Sequence, residues 1–134
     1  MHAHVLLIED DGELRAEMLD YLVRHDYRVT ACATLAEASE AFQPGKSAFG
    51  PPLVVIADIR LPDGDGISFY MENAGRFPDA KWILMSGNHD LVRLASRLKD
   101  AVDLPTCTVV DKPMPLRLMT RFIEGQLVAQ RSAA

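Results

Sequence analysis

Four apolar runs in this sequence end on groups that can do chemistry. HVLLIE closes on Glu9 with Asp10 next, LVVIAD on Asp58, KWILMS on Ser86, and TCTVVD on Asp111 with Lys112 next. A carboxylate in such a place can be a solvated strand end, a cap for the following turn, or a group held out for reaction, and one residue does not decide among these. The set says more than its members. If the runs lie side by side, Glu9, Asp10 and Asp58 gather on one rim, where they repel unless some take up protons or a cation sits among them. A hard ion such as Mg2+ suits this inventory, because it takes a few carboxylates, a backbone carbonyl and waters, and no Cys or His stands there for a softer metal. Ser86 offers a hydroxyl donor and Lys112 a mobile positive charge. Metal, ammonium and hydroxyl around one anionic centre are what phosphoryl transfer requires. Asp58, alone ahead of the turn IRLPDGDG, is then the candidate nucleophile.

The elements that must position these groups follow from periodicity. Five short apolar runs recur, at 4–9, 27–33, 53–58, 81–86 and 106–111, and three of them are nearly continuous hydrophobics, as parallel strands covered on both faces require. Between them lie helical stripes: Leu14, Met18, Tyr21 and Leu22; then a T-x-x-E capping box, Thr34 and Glu37, opening a helix through about Phe42; then Ile67, Tyr70, Met71 and Ala74; then Leu91, Leu94, Ala95, Leu98 and Val102. A fifth helix is expected after Pro115, with Leu116, Met119, Ile123 and Leu127 inward, and QPGKSAFGPP, 43–52, reads as a loop. Such alternation with right-handed crossovers predicts a doubly wound α/β sandwich around a parallel sheet. In that architecture the functional crevice lies beyond the C-terminal strand ends, where the four chemical stretches fall.

Composition narrows the function classes. At 134 residues the chain suits one domain, 1–134, and a formal charge of −5 argues against a nucleic-acid surface, which needs clustered Lys and Arg. No apolar run approaches the ~18 residues of a membrane span. The start, MHAHVLLIEDDGE, meets acid within ten residues and lacks the basic, apolar build of an export signal, so a cytoplasmic protein is expected. Cys32 and Cys107 form no CxxC pair and read as buried free thiols, and the HxH pair of His2 and His4 is read as a mobile terminus rather than a metal site.

Taken in order, the acidic pair in LLIEDDGELR, the D-x-x-x-P-x-x-D-G turn in DIRLPDGDG, the S-G in ILMSGN and the K-P in VVDKPMP resemble the receiver domains of two-component response regulators over nearly the whole chain. The resemblance implies a flavodoxin-like fold with strand order 2-1-3-4-5. It also implies a phosphoacceptor, Asp58, that takes its phosphoryl group from phosphohistidine on a sensor histidine kinase or histidine phosphotransfer protein. Glu9, Asp10, Asp58 and the carbonyl of Arg60 would be the Mg2+ ligands, Ser86 the hydroxyl that follows the phosphoryl group, and Lys112 its ion-pair partner. Asp11 would be more peripheral, and a cis Lys112–Pro113 bond is implied as well. The output would be a contact with another protein, or the chain would be part of a longer regulator or hybrid kinase. Asp65 and Gly66 read as turn chemistry, glycine supplying positive φ.

Two departures stand out, the first being that the segment 89–105 and the loop 43–52 are longer than the resemblance leads one to expect, edges that could specify an unusual partner. Family members usually carry Tyr or Phe three residues before the lysine, where this chain has Val109. A stiff β-branched side chain cannot repeat the swing of a tyrosine, so the response is expected chiefly in the loop 87–90 and the helix after it. Two other classes compete with this reading. A pseudo-receiver would use the fold without phosphorylation, and Val109 and the longer loops favour it, but the intact acidic, Ser and Lys positions oppose it. An aspartyl-phosphate phosphohydrolase would share Asp, hydroxyl, Lys and Mg2+, yet enzymes of that kind place D-x-D after the first strand.

Overall fold

The computed structural model describes residues 3–43, 45–46, 48–87 and 107–133. The expected helix over Leu91–Val102 and the loop 88–90 lie outside the described residues. In chain order the elements are β1 (His4–Ile8), α1 (Gly12–Arg24), β2 (Arg28–Cys32), α2 (Leu35–Ala41), β3 (Val54–Asp58), the two-residue strands β4 (Arg60–Leu61) and β5 (Gly64–Asp65), α3 (Gly66–Asn73), β6 (Lys81–Ser86), β7 (Cys107–Asp111) and α4 (Leu116–Ala133). The parallel sheet runs β2-β1-β3-β6-β7, the expected order once the small antiparallel β4-β5 hairpin inside the turn is counted.

The three inner strands are apolar on both faces because both faces are covered. Leu6, Ile8, Val55, Ala57, Trp82 and Leu84 pack with Ala38 and Phe42 and with Ile67, Phe69 and Tyr70 of α3. On the other face, Val5, Leu7, Val54, Ile56, Ile83 and Met85 meet Met18 and Leu22 of α1 and Met119 and Ile123 of α4. The helices start where their caps dictate. Asp11 accepts from the amides of Glu13 and Leu14 and so takes the cap of α1, while Thr34 accepts from Glu37 N at 3.1 Å and Glu37 Oε2 from Ala33 N, the residue before the cap, at 2.9 Å, a capping box displaced by one residue at the start of α2.

Cys32 and Cys107 are free, but only Cys32 is buried as expected; Cys107, on an edge strand, is half-buried, and the two sit on opposite edges of the sheet, four strand spacings or about 19 Å apart. Burial pushes the Cys32 thiol up to about 11 and the Cys107 thiol up to about 12, which leaves both as unreactive thiols.

His4 corrects the expectation of a mobile terminal pair. It is the first residue of β1 and only 5% exposed. Its Nδ1 donates to the Gly50 carbonyl at 2.9 Å, and its Nε2 lies 2.8 Å from the Thr30 hydroxyl. The Phe49 ring, itself under the Arg28 guanidinium, stands edge-on to the imidazole. Burial holds His4 below its ordinary value, outweighing the opposing backbone hydrogen bonds. The folded state therefore prefers the neutral ring: the stability this gives is complete above the unfolded-state value near 6.5 and is lost as pH falls from there through the lower folded value. In urea titrations the stability advantage of wild type over His4→Gln is expected to narrow between pH 7.5 and pH 5; a gap independent of pH would show that His4 does not titrate in this way.

Candidate functional site

Parallel register carries the strand ends to one rim. Asp58 pairs with Met85 at the end of β3 and β6, and Ser86 with Asp111 at the end of β6 and β7. Three backbone hydrogen bonds continue the ladder past the strands: Glu9 N to Cys32 O, Ile59 N to Met85 O and Lys112 N to Ser86 O. The side chains of Glu9, Asp58 and Ser86 are thereby buried, at 0%, 3% and 1% exposure, while Asp10 stays in solvent. Oxygens of Glu9, Asp10 and Asp58 all come within 4.8 Å of one another, an arrangement that could hold a metal ion.

Lys112 joins the two buried acids. Its Nζ is 2.9 Å from Glu9 Oε1 and 2.9 Å from Asp58 Oδ1. The Lys112–Pro113 bond is cis. Burial pushes the Asp58 carboxyl up to about 8, with neighbouring Glu9 adding to the rise and Lys112 opposing it. Burial acts the same way on Glu9, but the adjoining Asp58 carboxyl and the Lys112 ammonium together outweigh it and hold Glu9 below the usual carboxylate range. Lys112 is pulled down by burial and held above its ordinary value by the two acids. Two buried acids thus face a single ammonium. Asp58 Oδ2 is buried with no hydrogen-bond partner among the described residues. An oxygen-only donor set with surplus acid and an unpartnered buried oxygen fits a hard divalent cation.

Several of the remaining residues take places the sequence did not specify. Ser86 Oγ donates to Asp111 Oδ1 at 3.4 Å, a partner the strand-end reading left without a role. Arg60 is exposed and opens the β4-β5 hairpin opposite Asp65. Arg15 reaches back from α1 to donate to the Glu9 carbonyl at 2.9 Å, fixing the peptide between the two acids. Asp65 is indeed turn chemistry: its Oδ1 accepts from Ser68 N at 2.8 Å and caps α3. Gly66 serves a different purpose from the one expected. It has no positive φ; among its neighbours that conformation falls on Gly64, at 154°. Gly66 is required because a Cβ there would lie 2.2 Å from the Asp58 carbonyl oxygen. Val109 pairs with Leu84 and packs, partly buried, against the core on the α3 side of the sheet.

Known proteins resemble this chain in sequence and fold. The chain is 29% identical over 96 residues to the C4-dicarboxylate transport transcriptional regulatory protein DctD of Rhizobium meliloti, covering 72% of this chain and 20% of that protein. It is 30% identical over 126 residues to the response regulator receiver protein CpdR of Brucella abortus, covering 93% of this chain and 97% of the relative. It therefore spans a fifth of one curated relative and nearly all of the other. Among solved structures, a CheY-like response regulator receiver domain protein from Methanospirillum hungatei superposes with a TM-score of 0.83 over 100% of both chains at 19% identity, a likeness of fold. The family model for the response regulator receiver domain matches residues 5–124, a span that takes in all four strand ends of the buried rim, and the chain belongs to that family of two-component signalling domains.

Proposed function

We propose that this domain accepts a phosphoryl group on Asp58 from a phosphohistidine of a sensor histidine kinase or histidine phosphotransfer protein, and that the change switches a protein-binding surface. The observation that carries the reading is the ammonium of Lys112 set 2.9 Å from both Glu9 and Asp58 at a buried rim. Glu9, Asp10, Asp58 and the Arg60 carbonyl would hold Mg2+, which when bound supplies positive charge against the carboxylates and the phosphoryl oxygens. The chain's own groups do the rest. The Asp58 carboxyl first releases its proton to solvent, and its oxygen then attacks phosphorus as the bond to the histidine nitrogen breaks. Lys112 gives up its contact with Asp58 to pair with a phosphoryl oxygen, and Ser86 turns its hydroxyl from Asp111 toward the new anion. The domain thus promotes its own phosphorylation, and the same groups would assist attack by water on phosphorus, which breaks the bond to the Asp58 oxygen and releases inorganic phosphate, so that it acts as a signalling element and not as an enzyme on a free substrate. A cytoplasmic setting accords with a phosphohistidine donor, and no helix among the described residues is long and apolar enough to cross a membrane.

Intact mass after incubation with acetyl phosphate and Mg2+ tests this. Wild type should gain one phosphoryl group and Asp58→Asn none, and omission of Mg2+ or the change Asp10→Ala should abolish the gain. Full labelling of Asp58→Asn would move the acceptor elsewhere.

A further inference from the structure

Asp63 sits at the tip of the turn that starts at Asp58, between Pro62 and Gly64, and its side chain leaves that turn altogether. Its Oδ1 accepts from Leu35 N at 3.0 Å and its Oδ2 from Ala36 N at 2.9 Å, the first two amides of α2, 28 and 27 residues away in sequence. The turn also passes close to the same helix at Gly64, where a Cβ, had there been one, would lie 2.9 Å from Leu35 Cδ1. The helix does not need this help to begin, because Thr34 and Glu37 already form its own capping box. Asp63 instead satisfies the two first-turn donors that the box leaves over.

The same turn is held at its other end. Gly66 N donates to Ile59 O at 2.8 Å, and Asp65 caps α3. Two aspartates two residues apart therefore tie one turn to two different helices, α2 and α3. A displacement of the backbone after Asp58 must then either carry α2 with it or break a bidentate, charge-assisted cap.

We propose that Asp63 is a positioning residue that couples the acceptor turn to α2, so that the N-terminal turn of α2 reads the state of Asp58. The proposal rests on Asp58 being the phosphoacceptor. It supplies a route for the signal that does not pass through β7, where Val109 stands.

Amide hydrogen exchange with and without beryllofluoride and Mg2+, followed in the segments 34–41 and 58–66, tests it on the intact chain. In wild type both segments should change their exchange on adding the probe. In Asp63→Ala the change in 58–66 should persist while that in 34–41 is lost, and Asp63→Asn, which keeps one acceptor oxygen, should restore part of it. Thermal unfolding of both variants checks that α2 remains folded, as its own capping box predicts; if Asp63→Ala does not fold, a weakened 34–41 response in Asp63→Asn decides for the proposal and a full one against it. A 34–41 response in Asp63→Ala equal to wild type, or none in wild type while 58–66 responds, overturns the coupling. No response in either segment of wild type removes the phosphoacceptor reading and the coupling with it.

Discussion

In metal-free buffer at pH 7.5, Asp58→Asn is expected to unfold at a higher temperature than the wild-type protein. Asp58 is 3% exposed and faces Glu9, which is fully buried. Its carboxyl is pushed up from 3.8 to about 8, first by burial and then by Glu9. The folded state therefore binds this proton more tightly than the unfolded chain does. Stability from the group is complete below about pH 4 and is lost as pH rises from there toward 8. An amide carries no charge to bury and leaves Lys112 to pair with Glu9 alone. The full shift would correspond to about 1.4 kcal/mol per unit, and charge sharing with Glu9 and Lys112 reduces the realised gain to about 2–4 kcal/mol. At about 3 °C per kcal/mol for a domain of this size, Tm should rise by about 6–12 °C. The gain should shrink toward zero at pH 4, and Mg2+ should raise the Tm of wild type while leaving Asp58→Asn nearly unmoved. Calorimetry at several pH values with and without Mg2+ checks both; equal melting of the two proteins at pH 7.5 would show that Asp58 is not held under electrostatic stress.

A loss of similar size is expected from the smallest possible side chain at Gly66. In Gly66→Ala the new Cβ would meet the Asp58 carbonyl oxygen at 2.2 Å and its carbonyl carbon at 3.1 Å. These are backbone atoms and cannot rotate away, so the turn must open where Gly66 N bonds to Ile59 O. The cost belongs at the upper end of overpacking, about 3 kcal/mol, or a Tm lower by about 10 °C. Because the atom pushed aside belongs to Asp58 itself, labelling by acetyl phosphate should also fall sharply in protein that is still folded. An unchanged Tm together with full labelling would mean that the turn relaxes at no cost.

The sequence made the scaffold legible because its signals are local. Continuous apolar runs mark the inner strands, Thr34 and Glu37 mark a helix start three residues apart, and the acids, Ser86 and Lys112 close runs whose alternation had already placed them on one rim. What escaped has partners far away in the chain. The hold of Lys112 on Glu9 spans the domain, and the reach of Asp63 to α2 and the sealing of His4 by Gly50 join segments with no shared pattern. The β4-β5 hairpin has two residues to a strand, too few for any period to show. Residue type alone assigns Gly66 to the turn, yet the reason for it, close approach to Asp58, exists only once the turn is folded.

The register of β1, β3 and β6 has a consequence for how such a chain can change over time. Each inner strand ends its apolar run at the rim, and successive side chains alternate between two differently shaped cores. Removing a single residue from β3 would exchange the faces of every residue on one side of the deletion, setting side chains shaped for one core against the other. Substitution leaves that ruler intact, and length change does not. The strands should therefore accept wide exchange of apolar residues while tolerating almost no insertion or deletion, and new length should collect in the connections. For this rim, the spacing between residues should be inherited more strictly than the identities of those that do the spacing.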